Sequence, residues 1–172
     1  MTATALWIDT FNGDGTSRLG TRWMAFTDRV MGGLSDAEVR YDTIDGRACL
    51  HLEGTVRLEN RGGFIQVALP LVTREHPFDA THLRGVRLLV RGVGAPFQVH
   101  LRSLQQRRPW EHYCAEAWAP AAWTTIDLPF AAFHPEMTTG ILDLSRLTRI
   151  GIVLGKRPGP ASLAVGAVGF HA

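Results

Sequence analysis

Asp28 and Glu59 are the carboxylates inside the two most distinctive stretches of this chain, W-M-A-F-T-D-R-V-M-G-G-L-S from Trp23 to Ser35 and G-T-V-R-L-E-N-R-G-G-F from Gly54 to Phe64. Two carboxyl groups held about 5 to 10 Å apart could do glycosidase-like work, one giving a proton while the other attacks or activates water. The residues around them favour a different use. Gly32, Gly33, Gly62 and Gly63 allow backbone conformations that a Cβ resists, so both stretches predict ordered turns, with Gly33 expected at positive φ. An aspartate just ahead of such a turn accepts hydrogen bonds from its free amides, which makes Asp28 a structural residue first.

No other catalytic group announces itself. His51, His76, His82, His100, His112, His134 and His171 are dispersed, with no H-x-H or H-E-x-x-H pair. Cys49 and Cys114 are far apart and have no C-x-x-C spacing, so they read as free, buried thiols in a reducing compartment. The expectation is a domain that is not an enzyme and holds neither metal nor cofactor. Gly92 and Gly94 lack the third glycine of a dinucleotide loop and read as a turn.

Binding residues are more plentiful. The middle strands are expected to place Arg91, Gln98, His100 and Arg102 on one face, beside Trp110, Tyr113, Glu116 and Trp118. These residue types stack on sugar rings or anchor protein partners. Tyr113 and Trp118 are an odd number of positions apart, so an unbroken strand sends them to opposite faces.

The elements that must position these groups are strands. Val86, Leu88 and Val90 alternate with Arg87, Leu89 and Arg91, and Phe97, Val99 and Leu101 with Gln98, His100 and Arg102. That is period two. Similar runs at 5–11, 38–41, 48–52, 56–58, 64–69, 113–118, 124–128, 150–154 and 162–170, punctuated by Gly and Pro, predict an all-β sandwich. The 55–69 segment reads as a hairpin turning at Glu59–Gly63. Helix is expected to be minor, confined to short turns near 77–82, 129–133 and 143–146.

With 172 residues and an ordinary apolar fraction of 45%, the economical count is a single domain over 1–172. A formal charge of +2, carried by scattered arginines and the single Lys156, does not suggest nucleic acid. No apolar run of 18 residues predicts a membrane span. Met1 to Leu6 lacks the basic start and apolar core of a leader, which points to a bacterial cytoplasmic protein.

The two stretches are similar to the signature of the complex I intermediate-associated protein 30 family, a Trp, then D-x-V-M-G-G-x-S, then S-L-x-N-x-G-G-F. Here the matching positions are Trp23, Asp28, Val30, Met31, Gly32, Gly33 and Ser35, then Leu58, Asn60, Gly62, Gly63 and Phe64. The segments beginning at Gly85, Phe97, Trp123 and Arg149 follow the family order. Arg29 stands where the family often has Gly, and Val93 where it often has Asp. The resemblance implies a galactose-binding-like jelly roll and a non-catalytic protein that assists assembly of NADH:ubiquinone oxidoreductase, its partner a subunit or an intermediate. The alternative is a carbohydrate-binding module, since that fold often hosts one. The expected partner- or ligand-binding set is Asp28, Arg29, Met31, Arg57, Glu59 and Asn60, gathered where the glycine turns meet.

Overall fold

A computed structural model describes residues 4–172. Met1 to Ala3, the start of the segment expected to lack a leader, lie outside the described residues. Two antiparallel sheets face each other. The first runs β3 (Asp36–Ile44), β4 (Arg47–Val56), β12 (Gly159–His171), β6 (Gly85–Arg91) and β9 (Thr124–Pro129), with β1 (Ala5–Asp9) also paired to β12. The second runs β10 (His134–Glu136), β8 (His112–Ala119), β7 (Ala95–Ser103), β11 (Leu147–Gly155), β5 (Phe64–Pro70) and β2 (Met24–Thr27).

Alternation puts one side of each sheet into a shared core. Val86, Leu88 and Val90 from the first sheet and Val99 and Leu101 from the second are fully buried, each contributing about 1.5–3 kcal/mol of apolar burial. Tyr113 is buried as well, whereas Trp118 on the same strand is exposed, as their odd separation requires. Among the described residues helix is limited to 3-10 turns at Asp28–Met31, Glu59–Arg61, Phe130–Ala132 and Leu144–Arg146. The 77–82 stretch, expected to hold a short helical turn, has a single hydrogen-bonded turn, closed by the Leu83 N–H on the Ala80 carbonyl at 3.0 Å, and no 3-10 helix.

Two expectations are corrected here. The 55–69 segment is not a hairpin. Thr55 and Val56 end β4 in the first sheet while Phe64 begins β5 in the second, so Arg57–Gly63 crosses between sheets. Arg91 likewise does not share a face with Gln98, His100 and Arg102, because β6 and β7 belong to different sheets.

Topology dictates where the two signature loops go. Strand β2 pairs with β5, ending at Thr27 opposite Ile65, and β3 pairs with β4, starting at Asp36 opposite Thr55. The chain therefore crosses from the second sheet to the first through 28–35 and returns through 57–63. The two crossings start and finish on neighbouring strands, so they must lie side by side at one edge of the sandwich.

Candidate functional site

Asp28 sits at the centre of these two crossings and is fully shut off from solvent. Its Oδ1 accepts the Ser35 N–H at 2.9 Å. Its Oδ2 accepts the Ser35 hydroxyl at 2.5 Å, the Gly63 N–H at 2.5 Å and the Phe64 N–H at 3.2 Å. Ser35 Oγ in turn accepts the Arg57 N–H at 2.8 Å, which extends the network along the second crossing. Burial alone pushes the Asp28 carboxyl up, but the hydrogen bonds from Ser35, Gly63 and Phe64 outweigh it, and the group lies below the usual carboxylate value.

The four glycines divide into two kinds. Gly32 closes the 3-10 turn at φ 88, and Gly63 has φ 130, so these two supply left-handed backbone. Gly33 does not have positive φ, contrary to the expectation, and is needed for a different reason. A Cβ on Gly33 would collide with Asp28 Cγ and Oδ1, and one on Gly62 would lie 2.5 Å from Oδ2. The carboxylate is thus wedged between two backbones that come close only because neither carries a side chain.

Two further bonds brace the loops, one between them and one within the first. Asn60, at φ 56, donates from Nδ2 to the Gly32 carbonyl at 3.1 Å. Arg29 donates from Nε to the Ser35 carbonyl at 2.8 Å. Arg57 donates to Glu59 Oε1 at 2.7 Å and holds the Glu59 carboxyl below its ordinary value.

Among the expected binding residues, Asp28 is a correction. It is inaccessible and its oxygens are committed, which rules out a ligand contact, and its lowered pKa does not suit a general acid, so a glycosidase pairing with Glu59 has no support. Arg29, Met31, Arg57, Glu59 and Asn60 all lie on the exposed side of the clamp. Reading the residues one at a time missed the apolar character of this surface: Val30 is 70% exposed, Met31 62% and Leu58 47%. The signal was legible as V-M before G-G and as Leu58 between Arg57 and Glu59.

A second cluster was missed altogether. His100 on β7 stands opposite Cys114 on β8, and His112 is two residues before Cys114. One donor atom from each of these three residues lies within 4.8 Å of the other two, which corrects the reading of dispersed histidines and an isolated thiol. The imidazoles are stacked, their centroids 3.8 Å apart. Cys49 and Cys114 are both buried free thiols on different sheets. A groove of about 750 Å³ lies elsewhere, along β3, β4 and β12, lined by Asp36, Glu38, Glu53, Val93 and Ser162. Among the described residues no helix is long and apolar enough to cross a membrane.

The family model for complex I intermediate-associated protein 30 (CIA30) matches residues 11–165. No curated protein matches the chain. Among solved structures, the family 11 carbohydrate-binding module of cellulosomal cellulase Lic26A-Cel5E of Clostridium thermocellum superposes with a TM-score of 0.76 at 14% identity, over 100% of this chain and 96% of that one. The Clostridium thermocellum family 11 module in complex with a β-1,3-1,4-mixed-linked tetrasaccharide gives 0.74 at 14% identity, over 100% and 98%. The family 30 module of cellulosomal cellulase Cel9D-Cel44B of the same organism gives 0.64 at 14%, over 87% and 91%. At such identities the likeness establishes the fold, an all-β jelly-roll sandwich.

Proposed function

The chain belongs to the complex I intermediate-associated protein 30 family, and from that premise we propose that it is a non-catalytic protein-binding domain that holds a subunit or assembly intermediate of NADH:ubiquinone oxidoreductase. The observation that carries the reading is the exposed tip of the clamp. Val30, Met31 and Leu58 are large apolar side chains held outward on hydrogen-bonded loops, flanked by Arg29, Arg57 and Arg61. Methionine and arginine are enriched where proteins meet, and an ordered apolar tip loses little conformational freedom on docking. Asp28 belongs to this site as its brace, while Arg29, Met31, Arg57, Glu59 and Asn60 face the client. Two free buried thiols support a reducing compartment such as the cytoplasm.

The test is co-purification of tagged protein from its native host, with wild type compared with Met31→Asp and Leu58→Asp. The expected result is a respiratory-complex subunit bound to wild type and lost from both variants. Equal capture by all three would remove the tip as the docking surface. A bound protein unrelated to respiration would sink the assembly reading.

A carbohydrate-binding reading has one specific observation in its favour. On the outer face of the second sheet, Gln66 Nε2 and Arg102 Nε are buried with no hydrogen-bond partner. Sugar hydroxyls could accept from both once a ligand displaces the side chains that cover them. Retardation of the protein in a gel containing β-1,3-1,4-mixed-linked glucan, abolished by Gln66→Ala, would favour this reading over the client-binding one.

A further inference from the structure

The outer face of the second sheet also gathers His100, His112 and Cys114, and we propose that these three side chains form a binding site for zinc(II). The donor set is the first reason. Two imidazoles and a thiolate suit a borderline-soft cation and leave a fourth position for water or a neighbouring donor. The edge strand β10 adds nearby donors, His134 in register with Cys114 and Glu136 with His112.

The second reason is the hydrogen bonding around the imidazoles. His112 Nδ1 lies 2.9 Å from the Trp110 carbonyl, which can only accept, so the proton sits on Nδ1 and the Nε2 lone pair is free. Gln98 donates from Nε2 to Glu116 at 3.3 Å, which fixes its amide and turns Oε1 toward His100 Nε2 at 3.1 Å. The proton of His100 is thereby placed on Nε2 and the Nδ1 lone pair is free. Metal-binding histidines are commonly oriented in this way, with the second nitrogen donating to a carbonyl or carboxylate.

Binding requires one rearrangement. The two ring planes are only 18° apart, so their in-plane lone pairs do not converge on one point, and one imidazole must turn out of the stack and give up its present hydrogen bond while the other keeps its orientation. Breaking the stack and that hydrogen bond costs roughly 5- to 150-fold in affinity, a small factor beside the strength of zinc coordination by imidazole and thiolate. Cys114 releases its proton to solvent as the Zn–S bond forms.

The probe is cobalt(II), which occupies zinc sites and reports thiolate ligation through a sulfur-to-cobalt charge-transfer absorption. Chelator-treated full-length protein titrated with cobalt(II) is expected to develop this band at one equivalent, and added zinc(II) is expected to abolish it. Cys49→Ser should retain the band and Cys114→Ser should lose it. His112→Gln, at a half-buried position, should weaken cobalt binding, and Gln98→Ala should do so by about 10–100-fold through loss of ring orientation. If Cys114→Ser fails to fold by circular dichroism, His112→Gln decides alone. No band in wild type, a band that survives in folded Cys114→Ser, or unchanged cobalt affinity in His112→Gln overturns the proposal.

Discussion

The amide nitrogen of Gly63 stands 2.5 Å from Oδ2 of Asp28, a contact that joins two residues 35 positions apart. Neither signature motif is therefore complete by itself. The first supplies the acceptor, the second supplies donors, and the glycines let the two backbones close around the carboxylate.

Asp28→Ala is expected to destabilise the fold by about 3 kcal/mol or more, since it leaves the Ser35, Gly63 and Phe64 amides without their acceptor, at about 1–3 kcal/mol for each buried orphan. Urea denaturation of the variant against wild type measures it. A loss under about 1 kcal/mol would mean that water or backbone movement satisfies those amides.

Gly33→Ala and Gly62→Ala are predicted to destabilise by about 1–3 kcal/mol through overpacking against the carboxylate. Their cost should shrink in an Asp28→Ala background, where the colliding atoms are gone, giving a coupling of about 0.5 kcal/mol or more. Gly32→Ala differs. Its cost of about 1–2 kcal/mol comes from left-handed backbone and should stay the same in both backgrounds. Additive behaviour of Gly33→Ala with Asp28→Ala would refute the wedge.

The Asp28 carboxyl titrates lower in the folded protein than its ordinary value of 3.8. The unfolded chain therefore binds the proton more readily, so this group's stabilising contribution is fully present above the ordinary value and is lost as pH falls through the lower folded value. The stability gap between wild type and Asp28→Asn is predicted to be constant near neutrality and to narrow below about pH 4. Denaturant midpoints measured from neutrality down into acid would reveal a gap independent of pH if the prediction is wrong.

Asn60→Ala removes the bond to the Gly32 carbonyl, an exposed tie worth about 0.5–1.5 kcal/mol. Because it closes the same pair of loops as Asp28, the two substitutions should couple in a double-mutant cycle by about 0.5 kcal/mol or more. Strict additivity would indicate that Asn60 holds its own loop and not the pair.

Strands were legible because alternation is a local property: Val86, Leu88 and Val90 point inward wherever β6 finds its partners. Strand partnership is not local. A glycine turn between two alternating runs looks the same whether the chain folds back as a hairpin or crosses to the opposing sheet, which is why 55–69 was misassigned. The signature motif located the clamp but could not tell Gly32 from Gly33, since a requirement for positive φ and a requirement for close approach both select glycine. His100, His112 and Cys114 escaped notice because their proximity depends on the register between β7 and β8, which spacing along the chain does not disclose.

The complete enclosure of the Asp28 carboxylate has a kinetic consequence. A half-built clamp would hold a desolvated charge with donors missing, so the clamp becomes favourable only after β2 has paired with β5 and β3 with β4. It should therefore close on the native side of the folding barrier. Weakening it would leave the folding rate nearly unchanged and accelerate unfolding, so that the two motifs govern how long the native state persists more than how quickly it is reached.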